Sequence, residues 1–133
     1  MSSAPADGPG VYRAPMRSRR DDVDPWAAVE RALDLGLCGM GAVTDERSAR
    51  RRDRFATVPD GAVVWTRDPD GRYVRGLLSG PLRDDRSAAA VEADLVHVRP
   101  CRWSQPVEEH RVPPAVVATY ARGGRSFQRI RAL

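Results

Sequence analysis

The chain has 133 residues, 22 of them basic and 18 acidic, for a formal net charge of +4. That length suits one domain around one core. No apolar run reaches membrane-spanning length and no basic-plus-apolar leader is visible, so a soluble cytoplasmic protein is expected rather than a helical membrane protein. Every basic residue is Arg, whose fork of donors suits phosphate oxygens and guanine edges and stacks on bases. The composition permits a nucleic-acid partner without requiring one. Two cysteines, Cys38 and Cys101, are too few for a disulfide framework and too far apart for a metal knuckle. Neither a metal nor a cofactor is expected.

Residues 1–10 hold Ser, Ala, Pro and Gly with little to bury and read as a mobile tail. A single domain is expected over residues 11–133. Residues 10–16 read as a short first strand, with Tyr12 and Met16 facing alike. Asp24 is a helix N-cap with Pro25 at the first helical position; Ala28, Val29, Ala32 and Leu33 recur at helical spacing, and Gly36 is the stop. This predicts a helix over 25–35, anchored through Trp26, Val29 and Leu33. Residues 37–43 form an apolar strand interrupted by Gly39 and Gly41, where another group can approach the backbone. Between 44 and 54 the chain crowds Glu46, Arg47, Arg50, Arg51, Arg52 and Arg54. The segment is either a solvated helix or loop, or a surface that contacts phosphates.

From Phe55 the pattern is β. Residues 58–61 read as a turn and 62–67 as a strand. Asp68-Pro69-Asp70-Gly71 is the clearest hairpin signal, with 72–80 returning. Residues 81–92 read as a polar loop. Residues 93–103 alternate and end on Trp103, a ribbon expected to pair back on the hairpin, with Pro100 marking a bulge or edge. An irregular connection, a helix over 114–122 stopped by Gly123-Gly124, and a last strand near 126–130 follow. The fold class is α+β.

The order of these elements and several short motifs resemble the EVE-type domains of the PUA-like superfamily, especially those that precede Mrr-like restriction endonucleases. The resemblance is carried by Leu37-Cys38-Gly39-Met40-Gly41 after the first helix, Phe55 followed by Asp60-Gly61-Ala62-Val63-Val64, and Tyr73-Val74-Arg75-Gly76-Leu77-Leu78-Ser79-Gly80. It continues in His97-Val98-Arg99-Pro100-Cys101-Arg102-Trp103 and Val112-Pro113. It implies a small twisted β-barrel flanked by helices, with a pocket for a flipped or single-stranded modified base. Relatives in that superfamily include the YTH readers of methylated adenine and the SRA readers of methylated cytosine. Ala42 stands where the endonuclease-linked domains tend to carry Trp, and Leu82 and Asp84 where they tend to carry aromatics.

A base pocket needs a flat apolar wall and one or two polar groups for the Watson–Crick edge. The candidates are Cys38, Gly39, Met40 and Gly41, with Trp65 or Trp103 to stack on the base and Ser79 and Leu82 at the loop after Gly80. The expected pocket opens between residues 38–41 and that loop. The same glycines serve equally as a tight turn between packed elements, and tryptophans at strand ends are commonly core. Arg17, Arg50, Arg51, Arg52, Arg83 and Arg86 are the candidate phosphate contacts. His97 beside Arg99 lacks a nucleophile partner, and Asp84-Asp85 and Glu108-Glu109 are adjacent pairs whose side chains diverge, so no catalytic group is assigned. The expected function is non-catalytic reading of a modified base, modified DNA before RNA, in a restriction or defence setting that adds an effector nuclease on a separate chain. The alternative is a small protein-interaction module that offers a β edge to a partner's sheet.

Overall fold

A computed structural model describes residues 9–123 and 126–131. Most of the tail expected over residues 1–10, and Gly124 of the expected helix stop, lie outside the described residues. The elements in chain order are β1 (Val11–Arg13), α1 (Ala27–Leu35), β2 (Leu37–Met40), α2 (Glu46–Thr57), β3 (Val63–Arg67) and β4 (Tyr73–Leu78). They continue with β5 (Arg83–Asp84), α3 (Ala88–Ala93), β6 (His97–Trp103), α4 (Pro114–Ala121) and β7 (Gln128–Arg129).

Local chemistry explains most boundaries. In the β3–β4 turn, Asp68 Oδ1 accepts from the backbone N–H groups of Asp70 (3.0 Å) and Arg72 (2.9 Å), while Gly71 takes φ +82°. α2 starts on a capping box: Asp45 Oδ1 accepts from Ser48 N at 2.8 Å, and Ser48 Oγ accepts from Asp45 N at 3.0 Å. α1 begins at Ala27 rather than Pro25, because Asp24 first closes a side-chain turn onto Trp26 N at 2.9 Å. Its stop is the expected one, Gly36 at φ +69°. The segment expected as a polar loop over 81–92 instead holds β5 and α3. Ser87 caps α3 by accepting from Ala90 N.

The sheet order is β2-β6-β4-β3-β1-β7, with β5 also on β6. β1 joins β3 in parallel, and every other pairing is antiparallel. The sheet curls into a half-barrel with helices around it. β6 is the ribbon that organises it: residues 97–100 pair with β2, residues 101–103 with β4. Pro100 makes neither bulge nor end. It has no N–H to lose, its carbonyl accepts from Ser79 N at 2.9 Å, and the partner strand changes at that point.

Both faces of the sheet are covered. One core gathers Val29 of α1, Phe55 of α2, Val64, Leu78, Leu95 and Val98. The second, on α4, gathers Trp65, Tyr73, Val112, Val116 and Ile130. Strand alternation divides β3 between them, Val64 to the first core and Trp65 to the second. Thr66 is fully buried.

Candidate nucleic-acid interface

The curled sheet leaves a gap between its edges, and a cavity of about 170 Å³ sits there. Residues 14–20, which follow β1, line it on one side; residues 39–42, at the end of β2, line it on another. Thr44, Asp45, Ser48 and Arg51, at and just after the start of α2, together with Asp94, Ser126 and Phe127, complete the lining. Asp94 ties these segments together. Its Oδ2 accepts from Ser18 Oγ at 2.6 Å and its Oδ1 from Ala42 N at 3.0 Å. It caps α3 in the left-handed region at φ +55°, a conformation that Asp tolerates better than most residues.

Gly41 leaves room for this carboxylate: a Cβ there would lie 2.5 Å from Asp94 Oδ2 and would have to push it aside. Met16, on the facing segment, also holds a left-handed backbone (φ +62°) while buried. For a long side chain that is a strained conformation held in place by its surroundings, at the rim of the cavity. An ionised carboxylate has about four acceptor positions. The two bonds to Ser18 and Ala42 therefore leave Asp94 able to accept N–H donors from a ligand.

A basic groove of about 760 Å³ adjoins this cavity, and Arg51, Ser126 and Phe127 line both. Arg47, Arg50, Arg51 and Arg54 of α2 face it, joined by Arg129 and Arg131. The four helix arginines fall at i, i+3, i+4 and i+7 and so share one face. Burial, then the neighbouring guanidiniums of Arg19 and Arg47, draw the Arg51 pKa below its ordinary value. Positive charge is thus concentrated where an anion would relieve it. Phe127 is fixed between two rings, stacked on Tyr12 at 5.0 Å and edge-on to Phe55 at 4.9 Å. The segment carrying it is held by the buried Arg13, which donates to Thr119 O at 2.9 Å, Ser126 O at 3.2 Å and Gln128 Oε1 at 2.7 Å.

Of the residues singled out in the sequence, Gly39, Met40, Gly41 and Arg17 line the cavity, and Arg50 and Arg51 face the groove. The others lie elsewhere. Cys38 is fully buried in the first core, and Trp65 packs under α4, away from both openings. Trp103 is half-buried and donates its indole N–H to Leu37 O at 2.8 Å. Ser79 is exposed, and Leu82 packs against the first core.

Arg52 points away from the groove and pairs with Asp53, and Arg86 reaches Asp84 at 3.9 Å. Arg83 is exposed on β5 and lines neither opening. The loop after Gly80 runs along β6, with Arg83 opposite Val98, so the opening lies against residues 14–20 and α2 instead. His97 Nδ1 sits 2.8 Å from Asp84 Oδ1 on that strand pair. Burial raises the Cys38 thiol pKa and pushes that of Cys101 up to about 12, which leaves neither as a thiolate nucleophile near neutral pH.

Ser18, Asp94 and Phe127 were not legible as site residues, because they meet only through the fold. Arg47 and Arg54 had a usable signal in the helical spacing of the arginine cluster.

No protein-family model and no curated protein matches the chain. Among solved structures it is similar to the YTH domain of the Zygosaccharomyces rouxii MRB1 protein, determined in complex with N6-methyladenosine RNA. The TM-score is 0.51 at 17% identity, over 92% of this chain and 79% of that one. The likeness is one of fold.

Proposed function

We propose that this protein is a non-catalytic reader of a modified nucleobase, built on a PUA-like, EVE-type half-barrel. A single strand, or a strand opened at one nucleotide, lies along the arginine groove. The modified base turns into the 170 Å³ cavity. The observation that carries this reading is the continuity of the two: Arg51 and Phe127 belong to the groove and to the cavity alike. Phosphates meet the α2 arginines, which supply affinity without sequence information. In the cavity, Met40 and Phe127 offer soft and flat apolar contact, and Asp94 accepts an N–H from the base edge. Exocyclic amines of adenine and cytosine remain donors after a single methylation, so a methylated base still satisfies Asp94.

The fold likeness to a YTH domain solved with methylated RNA supports a reader in general. The sequence resemblance favours modified DNA in a defence setting, with an effector nuclease on another chain. Titrating the protein at several salt concentrations with single strands of DNA and RNA carrying N6-methyladenine, 5-methylcytosine, 5-hydroxymethylcytosine or no modification tests the reading. The expected result is a preference of about tenfold or more for one modified base, with affinity falling as salt rises. Equal binding of every strand, with no response to salt, overturns it.

A further inference from the structure

A second cavity, of about 190 Å³, lies on the other side of the segment that lines the first. Pro15 and Arg17 line both, so the two cavities share a boundary only a few residues wide. Each is smaller than the roughly 300 Å³ at which drug-sized sites begin, which suits a single ring system. The second cavity combines flat apolar surface with positive charge. Trp26, Pro15 and Pro69 supply the surface, and Arg17 and Arg67 the charge.

The two guanidiniums are supported by rings rather than by carboxylates. Arg17 lies over the Trp26 ring at 5.3 Å and Arg67 over the Tyr73 ring at 5.2 Å. Neither makes an ion pair among the described residues. The one hydrogen bond of Arg67, to Gly71 O, is long at 3.4 Å, and its buried Nε has no partner.

The single carboxylate in the lining, Asp68, is paired with Arg72 at 3.2 Å and makes no ion pair with Arg17 or Arg67. It accepts from Asp70 N, Arg72 N and Arg72 Nε. The Tyr120 hydroxyl is likewise spent on Trp65 O at 2.6 Å. What remains is a slot with apolar sides and two cations short of an anion, next to a pocket read as holding a base.

We infer that this second cavity is the subsite for the nucleotide adjacent to the one in the first cavity. Its base stacks on the Arg17–Trp26 pair, and the phosphodiester that joins the two nucleotides rests against Arg17. The inference depends on the reading of the first cavity as a base pocket. It adds that the protein recognises at least a dinucleotide, and that Trp26 and Arg17 set its tolerance for the neighbouring base. The stacking is sequence-tolerant, because every base has a flat face.

The test uses the full chain and fluorescence anisotropy with sets of single-stranded heptamers, RNA and DNA, whose central nucleotide carries N6-methyladenine, 5-methylcytosine or 5-hydroxymethylcytosine. Each set includes strands in which the nucleotide 5′ or 3′ of the modified one is abasic. One of the two abasic strands is expected to bind wild-type protein roughly tenfold more weakly than the intact strand. Trp26→Ala should weaken the intact strand to the same degree and add nothing further on that abasic strand, since both remove one contact. Trp26→Phe keeps a flat ring and should retain most of the affinity. Arg17→Gln should lower the slope of log affinity against log salt by about 0.7, the share of one phosphate on a single strand.

If both abasic strands bind as tightly as the intact one, the inference fails while the base-reading proposal stands. The same holds if the abasic loss persists undiminished in Trp26→Ala. If wild-type protein binds none of these heptamers, or distinguishes none of them from its unmodified counterpart, the base-reading proposal fails and the inference with it. Should Trp26→Ala not fold, the wild-type abasic comparison and Trp26→Phe still decide between these outcomes.

Discussion

Arg99 Nη1 donates to the backbone carbonyl of Phe55 at 2.9 Å while its guanidinium lies over the Phe55 ring at 5.6 Å. The same side chain reaches Val58 O at 2.7 Å, Gly80 O at 2.9 Å and Asp60 Oδ1 at 3.0 Å. A residue on β6 thereby closes the C-terminal turn of α2, adding a donor to the Phe55 carbonyl, which also accepts from Val58 N at 3.3 Å, and supplying one to the Val58 carbonyl. Arg99 is 2% exposed. Its loss leaves the Val58 and Gly80 carbonyls without their side-chain donor and removes the buried packing of the guanidinium, so Arg99→Ala should lower stability by about 3 kcal/mol in urea denaturation. Arg99→Lys keeps the charge but not the fork and should recover only part of that. The Asp60 side chain is 68% exposed, so Asp60→Ala should cost less than about 1 kcal/mol.

The two glycines of the β2 segment should fail in different ways. A Cβ on Gly39 would collide with the His97 carbonyl and crowd Val98, so Gly39→Ala disrupts the β2–β6 pairing itself. A loss of about 1–3 kcal/mol is expected. The three atoms nearest a Cβ on Gly41 all belong to the Asp94 carboxylate. Gly41→Ala should displace that side chain from Ser18 and Ala42, and so reduce oligonucleotide binding by a larger factor than it reduces stability. Thermal melting and anisotropy on the same two variants separate the cases.

Salt dependence should sort the arginines of α2. Arg54→Gln or Arg47→Gln removes a charge that faces the groove, and each should reduce the salt slope for a single strand by about 0.7. Arg52→Gln, directed toward Asp53, should leave the slope unchanged. Binding isotherms at four or more salt concentrations measure the slopes directly.

Acid should loosen the helix that carries this charge. The Asp45 carboxyl is held below its ordinary pKa first by the hydrogen bond from Ser48 N–H and then by the Ser48 hydroxyl. A carboxylate whose folded pKa is depressed contributes stability above its unfolded pKa of about 3.9, and that contribution is lost as pH falls through the folded value. The midpoint of thermal unfolding of the wild type should therefore fall more steeply below about pH 4 than that of Asp45→Asn, which still caps but does not titrate there.

Much of the fold was legible because its signals are local. Gly36 ends α1, Asp68-Pro69-Asp70-Gly71 makes the hairpin, and Pro114 opens α4, each through the backbone preference of one or two residues. α3 was not, since Ala88–Ala93 is six residues of mostly Ala with no amphipathic period, stabilised by the Ser87 cap. Whether Trp65 stacks on a base or belongs to the core is open in the sequence, because it stands near a strand end. The strand is in fact covered on both faces, and alternation cannot reveal a second layer that arrives from α4.

The glycines and Met40 of the cavity could be found because a close backbone approach leaves a mark in one segment. Asp94 and Ser18 are 76 residues apart, and only the folded chain shows that they meet. Arg13 and Arg99 are buried and bonded to carbonyls, a use of Arg that composition does not disclose.

The bond from Arg13 to the carbonyl of Ser126 spans 113 residues. Bringing such distant segments together costs a loop-closure entropy that rises with the logarithm of their separation, and folds that depend on non-local contacts form more slowly than those built from local ones. Since Phe127 belongs to that closure, a chain that has not completed it has neither the cavity nor one side of the groove. Affinity for a strand then becomes a measure of complete folding. The binding-competent fraction of a preparation should track the slowest refolding phase, while helix content returns earlier.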